Sequence, residues 1–282
     1  MIVRSFGHNN GILYLVATPI GNLEDMTYRA VNILKSVDKI YAEDTRNSIV
    51  LLRHYNISTS LESYHEFNQN IKTDDILKEL ESGMSIAIIS DAGLPVISDP
   101  GYKIVKEARK RGIAVSTIPG ASAGISALIA SGIAPMPYTF YGFLDSKKTK
   151  RIAQLEELKY VKNTIIFYEA PHRIFECLED MLNVFGDRRI SLARELTKIY
   201  EEYIYGKISE ILKLDSLKGE MVLIVEGYVD DEVNKDEDPN KKIDELIELG
   251  YMPNEAIKEA ARLFNMNKKE LYKIYLEYKK NK

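Results

Sequence analysis

Apolar residues in the first half of the chain occur in short runs that are separated by stretches with helical spacing. The runs predict buried strands at residues 12–17, 39–42, 84–89, 113–118 and 138–143, the last of which closes the set. Apolar positions three and four residues apart predict helices at residues 27–37, 48–54, 102–111 and 122–131. Strands separated by crossover helices are typical of a mainly parallel sheet with helices on both faces.

The second half of the chain has a different pattern, with more strands and fewer helices between them. Strands are predicted at residues 163–168, 189–193, 200–206 and 221–225, with one helix at 171–185. This order indicates an α+β domain with a mixed sheet. From residue 243 to the end the spacing is helical and the net charge is positive, whereas the rest of the chain is net negative.

The domain boundaries are predicted from polar and charged stretches. The stretch 145–150 carries three lysines, and the stretch 230–241 is dense in charge and contains Pro239, as linkers often do. We therefore predict an N-terminal α/β domain at 1–144 and a second α+β domain at 145–229. A linker at 230–241 and a helical C-terminal domain at 242–282 complete the chain.

Composition excludes several classes of protein. The 282 residues carry a formal charge of −4, which argues against a uniformly basic coat for nucleic acid but leaves room for a local basic cleft. The single cysteine, Cys177, can form neither an internal disulfide nor a multi-cysteine metal site. No stretch approaches the roughly 20 apolar residues of a membrane span. We expect a cytoplasmic protein that does not enter a membrane.

Unusual turns follow the four predicted strands of the first domain. They comprise residues 18–22 (TPIGN), 43–46 (EDTR), 90–101 (SDAGLPVISDPG) and 119–122 (PGAS). Because ligands bind at the carboxyl ends of parallel strands, four such turns at one edge predict a binding site. None of the turns has the glycine pattern of a dinucleotide site or a P-loop, and the chain has no zinc-binding motif of the H-E-x-x-H type. We expect no metal in the site.

Three arginines follow strands on this presumed active edge: Arg46, Arg173 and Arg194. Arginine at such positions suits bidentate binding of RNA phosphates. The alternative is an ion pair within the protein, since Asp44, Glu169 and Glu195 lie close to the three arginines in the sequence. The sequence leaves both interpretations open.

Longer motifs, in a consistent order, resemble those of the tetrapyrrole-methylase superfamily, and within it the methyltransferases that act on RNA of the small ribosomal subunit. The motifs are residues 15–25, 42–46, 90–95, 98–101, 167–173, 194–198 and 219–227. The resemblance extends over roughly residues 11–228 and recurs in the helical tail. It implies a two-domain α/β enzyme, with a parallel-sheet first domain and a mixed-sheet second domain that together form the cofactor cleft.

The resemblance also implies the reaction and the cofactor. The enzyme would transfer a methyl group from S-adenosylmethionine to the 2′-hydroxyl of a cytidine in small-subunit (16S) ribosomal RNA, with the assembled subunit as the expected substrate and a homodimer as the expected state. The residues that it implies for cofactor binding are Ala17, Pro19, Asp91, Ala92, Gly93, Leu94, Ala121, Ser122, Tyr168, Gly219, Glu220 and Met221. A sulfonium ligand needs close backbone contacts, which glycine and alanine permit, and it needs no lysine for phosphates.

Catalytic and RNA-binding residues are predicted in the segments 43–46, 63–65, 172–173 and 194–198. We expect His65 or Asp44 to orient or deprotonate the 2′-hydroxyl and Arg46 to hold the adjacent phosphate. The set expected to bind RNA is Arg46, His172, Arg173, Arg194 and Lys198. The related methyltransferases carry a histidine where this chain has Phe67, so no role is carried over to that position.

Other functions fit the same cleft. One is methylation of a small tetrapyrrole, and another is methylation of a protein side chain, as in the diphthamide pathway. A third is a non-catalytic ribosome-binding module that has kept the fold. The basic tail and the turns at 43–46 and 169–173 favour RNA, and the intact loop 91–94 favours an enzyme over a pure binding module.

Overall fold

The computed structural model describes residues 11–99, 101–229, 238–264 and 266–280. The chain divides into two compact units, the first ending at Gly227 and the second beginning at Tyr228. Each unit has its own hydrophobic core. Among the described residues, no helix combines the length and the apolar character needed to cross a membrane.

The first part of the larger unit is a five-stranded parallel sheet with the order β3-β2-β4-β1-β5. Its strands are β1 (Ile12–Val16), β2 (Lys39–Ala42), β3 (Ser60–Ser63), β4 (Ile86–Ile89) and β5 (Ala114–Ile118). Its helices are α1 (Tyr28–Ser36), α2 (Thr45–His54), α3 (Gln69–Glu81), α4 (Tyr102–Lys110) and α5 (Ala123–Ala130). Leu13 and Leu15 pack into one core and Tyr14 and Val16 into another, so helices cover both faces as predicted.

The sequence pattern does not predict β3 and α3. Strand β3 lies at the edge of the sheet and reads Ser-Leu-Glu-Ser, with no fully buried residue. Helix α3 does not place its apolar and polar residues on clearly separate faces, but it buries Ile76, Leu77 and Leu80 against the sheet. A strand at the edge of a sheet can be polar because it has a neighbouring strand on one side only, and this explains why the pattern missed β3. The weak separation of apolar and polar positions explains why it missed α3.

The second part of the larger unit is a mixed five-stranded sheet with the order β6-β7-β10-β8-β9. Its strands are β6 (Tyr138–Phe143), β7 (Thr164–Glu169), β8 (Arg189–Arg194), β9 (Glu202–Lys207) and β10 (Met221–Val225). Its helices are α6 (Lys148–Leu158), α7 (Ile174–Phe185) and the single turn α8 (Ile208–Ile211). Strands β6 and β7 are parallel and the other pairs are antiparallel, which confirms the predicted mixed sheet.

Strand β6 was expected to close the first sheet, and that expectation is wrong. It pairs with β7 of the second sheet, where Phe140 packs beside Ile166 and Tyr168. Periodicity shows that a segment is a strand but carries no information on which sheet it joins. Because Lys148 already begins α6, the stretch 145–150 lies within the second half, and the chain passes from one sheet to the other before Tyr138.

The smaller unit consists of three helices around one core. They are α9 (Pro239–Glu248), α10 (Pro253–Leu263) and α11 (Lys268–Lys280). Ile243, Ile257, Leu271 and Tyr275 lie in the core between them. Of the predicted linker, residues 230–237 lie outside the described residues, and residues 239–241 are the first turn of α9. The helical character of the tail is confirmed.

Candidate functional site

A cavity of about 560 Å³ lies between the two sheets of the larger unit. From the first half it is lined by Ile20, Ala92, Gly93, Leu94, Ile97, Ser98, Asp99, Ser122, Ala123, Gly124 and Ile125. From the second half it is lined by Tyr138, Phe140, Phe143, Tyr168, Glu169, Ala170, Pro171, Leu196, Glu220, Met221 and Val222. The first set follows the carboxyl ends of β1, β4 and β5, so the cavity lies where a parallel sheet is expected to bind a ligand.

The loop after β4 is fixed to the sheet by buried hydrogen bonds. Thr18 and Gly93 exchange backbone hydrogen bonds of 2.9 and 3.1 Å. The Ser90 hydroxyl donates to the Gly93 carbonyl at 3.0 Å, and the Thr18 hydroxyl donates to the Ser90 carbonyl at 3.1 Å. Gly93 has φ of 76°, and a Cβ there would lie 3.3 Å from Ile20 Cγ2 and 3.5 Å from the Ala121 carbonyl oxygen. Only glycine adopts this conformation without strain, and the absence of a side chain leaves room for a ligand to approach the loop closely.

The same loop continues into strained backbone. Val96 and Ser98 have φ of 78° and 66°, in the left-handed region. That region is strongly unfavourable for a β-branched residue such as valine. Strain of this kind persists only where the surroundings enforce it, and it clusters at functional sites. The conformation carries Ile97, Ser98 and Asp99 along the cavity wall.

Tyr168 joins the two halves of the cavity. Its hydroxyl accepts a hydrogen bond from the Gly124 N–H, at the start of α5, at 3.2 Å. Its ring contacts Phe140 and Phe143 with centroids 5.1 and 5.5 Å away. Burial raises the pKa of Tyr168, so the phenol stays neutral at physiological pH. The result is an aromatic wall that suits an aromatic or cationic ligand.

The loop after β8 is built from paired charges. The Glu195 carboxylate accepts from the Glu220 N–H at 2.9 Å and from Lys198 Nζ at 3.2 Å, and Lys198 also pairs with Glu220 at 3.0 Å. The hydrogen bond from the Glu220 backbone, with help from Lys198, lowers the pKa of Glu195. A Cβ on Gly219 would lie 2.5 Å from Glu195 Oε1, so this packing requires a glycine. These contacts fix the turn that precedes β10.

Seven of the residues expected to bind the cofactor line the cavity, namely Ala92, Gly93, Leu94, Ser122, Tyr168, Glu220 and Met221. The other five, Ala17, Pro19, Asp91, Ala121 and Gly219, are not among the lining residues. Asp91 faces α2 instead, where its carboxylate accepts from Asn47 Nδ2 at 3.0 Å and from the Asp44 N–H at 3.3 Å.

Sequence reasoning missed the aromatic wall and Asp99. The wall comes from β6, whose aromatic residues at 138, 140 and 143 were visible but were assigned to the wrong sheet. Asp99 belongs to the motif at 98–101 that was recognised as a motif, but no role was assigned to this residue.

The expected catalytic residues Asp44 and His65 lie at the same sheet edge but do not line the cavity. Asp44 caps α2 and forms an exposed ion pair with Arg46 at 2.6 Å. The Arg46 side chain and backbone lower the pKa of Asp44 to about 2. His65 Nδ1 is buried and has no hydrogen-bond partner among the described residues. The catalytic roles of both residues stay predictions.

The cations expected to bind RNA have different environments. Arg46 is 88% exposed and His172 is exposed. Arg173 is 17% exposed and donates to the buried Glu169 carboxylate at 2.5 and 2.9 Å. Arg194 pairs with Glu202 on β9, whereas the sequence had offered Glu195 as its partner. Arg46 and Arg173 thus form the ion pairs that the sequence gave as the alternative, and a role in RNA binding stays a prediction for all five cations.

The charged residues that line the cavity are all acidic. They are Asp99, Glu169 and Glu220, and no lysine, arginine or histidine of the described residues is among the lining. Glu169 is paired with Arg173 and Glu220 with Lys198, so Asp99 is the lining carboxylate that can attract a cation, and the lining offers no cation for a phosphate group. Within the described part of the chain, no cluster of histidine, cysteine and carboxylate residues could hold a metal ion.

Comparison with known proteins identifies the class. Residues 12–212 match the family model described as Tetrapyrrole (Corrin/Porphyrin) Methylases. Because the match covers most of the chain, the chain belongs to this family of methylases. The solved structure of a diphthine synthase is similar over 76% of this chain and 89% of its own, with a TM-score of 0.59 and 11% identity. At this identity the likeness shows the fold.

Curated relatives place the chain more narrowly within the family. Ribosomal RNA small subunit methyltransferase I of Bacillus subtilis (strain 168) is 50% identical over 274 residues, which cover 94% of each chain. The protein of the same name from Streptococcus pyogenes serotype M18 (strain MGAS8232) is 52% identical over 272 residues, covering 94% of this chain and 95% of its own. The chain therefore falls among the ribosomal RNA small subunit methyltransferases I.

Proposed function

We propose that the protein transfers a methyl group from S-adenosylmethionine to the 2′-hydroxyl of a cytidine in the RNA of the small ribosomal subunit. The observation that carries the proposal is the cavity, which has an aromatic wall and whose charged lining residues are all acidic. S-Adenosylmethionine combines an adenine ring with a sulfonium cation, and both parts match this lining. The relatives named for small-subunit RNA supply the substrate class.

The residues present fit this methyl donor. A volume of about 560 Å³ falls within the range of sites for ligands of this size. The backbone of Ala92 and Leu94 can offer donors and acceptors for the amino acid part, and a side chain at position 93 would crowd Ile20. Tyr168 and Met221 would cover the adenine from the second half. When bound, the donor supplies an electrophilic methyl group, and the chain itself supplies position and charge.

The proposed partner is the assembled small subunit, and the proposed location is the cytoplasm, with the protein as a homodimer. Arg46 and His172 are exposed at the sheet edge and the turn after β7, where they can reach RNA phosphates without a rearrangement of the fold. Lys198 is paired with Glu220, so it can bind an RNA phosphate only by leaving that carboxylate. These assignments deepen the proposal but do not carry it.

A transfer assay with tritiated S-adenosylmethionine tests the proposal. Small subunits, naked ribosomal RNA and a precorrin are offered side by side, with no added metal. We expect label in the RNA of the assembled subunit and less label in naked RNA. Label in the precorrin alone would assign the chain to tetrapyrrole methylation, and cofactor binding without transfer to any substrate would favour a non-catalytic ribosome-binding module.

A further inference from the structure

Asp99 differs from the other charged groups that line the cavity, because its carboxylate has no partner among the described residues. Glu169 is held by Arg173, and Glu220 is held by Lys198. The hydroxyl of Tyr168 accepts from Gly124. Asp99 forms no hydrogen bond or ion pair with any described residue. It is therefore a free hydrogen-bond acceptor in the wall of the proposed methyl-donor site.

The backbone presents Asp99 at a particular place. The left-handed residues Val96 and Ser98 carry the loop back towards the sheet, so that Asp99 borders both the main cavity and a small void lined by Glu43 and Tyr64. The carboxylate is only partly exposed. Asp99 therefore lies where the loop after β4 meets the sheet edge that carries Glu43 and Tyr64.

The groups that face Asp99 carry negative charge or none. Glu43 after β2 and Asp91 after β4 are acidic neighbours, and the neutral Tyr168 faces it from β7. Burial, together with Glu43 and Asp91, raises the pKa of Asp99 to about 7. A general base works best when its pKa is near the operating pH, because it is then both ionised and basic.

The alternative bases are less suitable. Asp44 is committed to Arg46, which lowers the pKa of Asp44 to about 2 and leaves a weak base. Neither Asp44 nor His65 borders the cavity, whereas Asp99 does. A group that removes the proton must be within hydrogen-bond reach of the attacking hydroxyl.

We propose that Asp99 is the catalytic residue that accepts the proton of the attacking ribose hydroxyl, an inference that rests on the proposed function. As the hydroxyl oxygen forms a bond to the methyl carbon, the bond from that carbon to sulfur breaks and its electron pair stays on sulfur. The hydroxyl proton passes to a carboxylate oxygen of Asp99 and then to water. The products are the methyl ether, the neutral thioether and one proton.

Single-turnover methylation of small subunits by Asp99→Asn tests this step, because it isolates chemistry from product release. Asparagine keeps the size of the side chain but cannot take the proton. We expect the rate to fall by about 10²-fold or more. The wild-type rate should rise with pH up to about 7 and then level off, and this rise should be absent in the variant. Calorimetry should show that S-adenosylmethionine binds the variant within about threefold of the wild type.

The matched control is Asp75→Asn on α3, where the side chain is 60% exposed and is not among the residues that line the cavity. It should keep the wild-type rate and pH profile. An Asp99→Asn protein with an unchanged rate and the same rise with pH would overturn the base role, as would one that loses cofactor binding and rate together. If wild-type protein binds the cofactor but methylates no subunit, the proposed function fails first and the inference fails with it.

Discussion

Two loops border the cavity from opposite halves of the larger unit. Their backbones are similar, but their charged residues are paired differently. The loop after β4 and the loop after β8 both contain non-glycine residues in the left-handed region, Val96 and Ser98 in one, Glu195 and Thr197 in the other. In each case the strained backbone brings side chains to the cavity wall. Similar backbone geometry therefore occurs on two unrelated sheets.

The difference between the loops lies in their charges. In the β8 loop, Glu195 and Lys198 are paired with each other and with Glu220. In the β4 loop, Asp99 has no partner among the described residues, and its pKa is raised to about 7. The ion pairs of the β8 loop hold the cavity wall in place. A partly buried carboxylate without a partner lowers the stability of the folded protein, and such groups cluster at functional sites. We infer that the β8 loop shapes the site and the β4 loop does its chemistry.

The largest effect on cofactor affinity should come from closing the β4 loop. Gly93→Ala places a methyl group 3.3 Å from Ile20 Cγ2, at a φ of 76°. We expect the affinity for S-adenosylmethionine to fall by about tenfold or more in calorimetry, which is about 1.4 kcal/mol. Gly186→Ala is the matched control, because Gly186 has the same φ of 76° and no described atom within 4 Å of the added carbon. Equal loss of affinity in both variants would mean that strain alone is responsible.

A smaller effect should come from the β8 loop. Glu195→Ala removes the acceptor of the Glu220 N–H and the partner of Lys198, so the turn before β10 loses its anchor. We expect an affinity about three- to tenfold weaker, with little change in the single-turnover rate at saturating cofactor. Glu195→Gln keeps an acceptor oxygen and should restore most of the affinity. A rate loss at saturation equal to that of Asp99→Asn would end the division of roles between the two loops.

The smallest effect is a pH-dependent change in stability at Asp99. Its pKa in the folded protein is about 7, against about 3.9 in an unfolded chain. Between these values the folded protein binds a proton that the unfolded chain has lost, so the stability from this group is lost as pH rises towards 7. Asp99→Asn should therefore raise the melting temperature by about 2–4 °C at pH 8 and by less at pH 5. The same shift at both pH values would contradict the raised pKa.

Much of the fold could be predicted because most of its strands are short runs rich in apolar residues. The runs at β2, β6 and β10 have the predicted bounds, since each is a short apolar segment between turns. The pattern failed where tertiary contacts decide the structure. Polar β3 is a strand because it pairs with β2, and β6 joins the second sheet through its contacts with β7.

The candidate site was predicted in part, for a similar reason. Glycine and alanine in the β4 loop signal close backbone approach, and the loop does line the cavity. Whether a carboxylate is paired depends on its neighbours in space, so the sequence favoured Asp44 and passed over Asp99. In the structure Asp44 is paired with Arg46, two residues away, whereas no described group pairs with Asp99.

Analysis of nucleosides from small-subunit RNA is the most direct test of methyl transfer to the cytidine ribose with Asp99 as the base. Unmethylated subunits are incubated with the protein and S-adenosylmethionine, and the RNA is digested and examined by mass spectrometry. We predict that 2′-O-methylcytidine appears with the wild-type protein, that Asp75→Asn produces as much, and that Asp99→Asn produces far less in the same time. A methyl group on a base instead of the ribose, or no methylated nucleoside despite bound cofactor, would contradict this prediction.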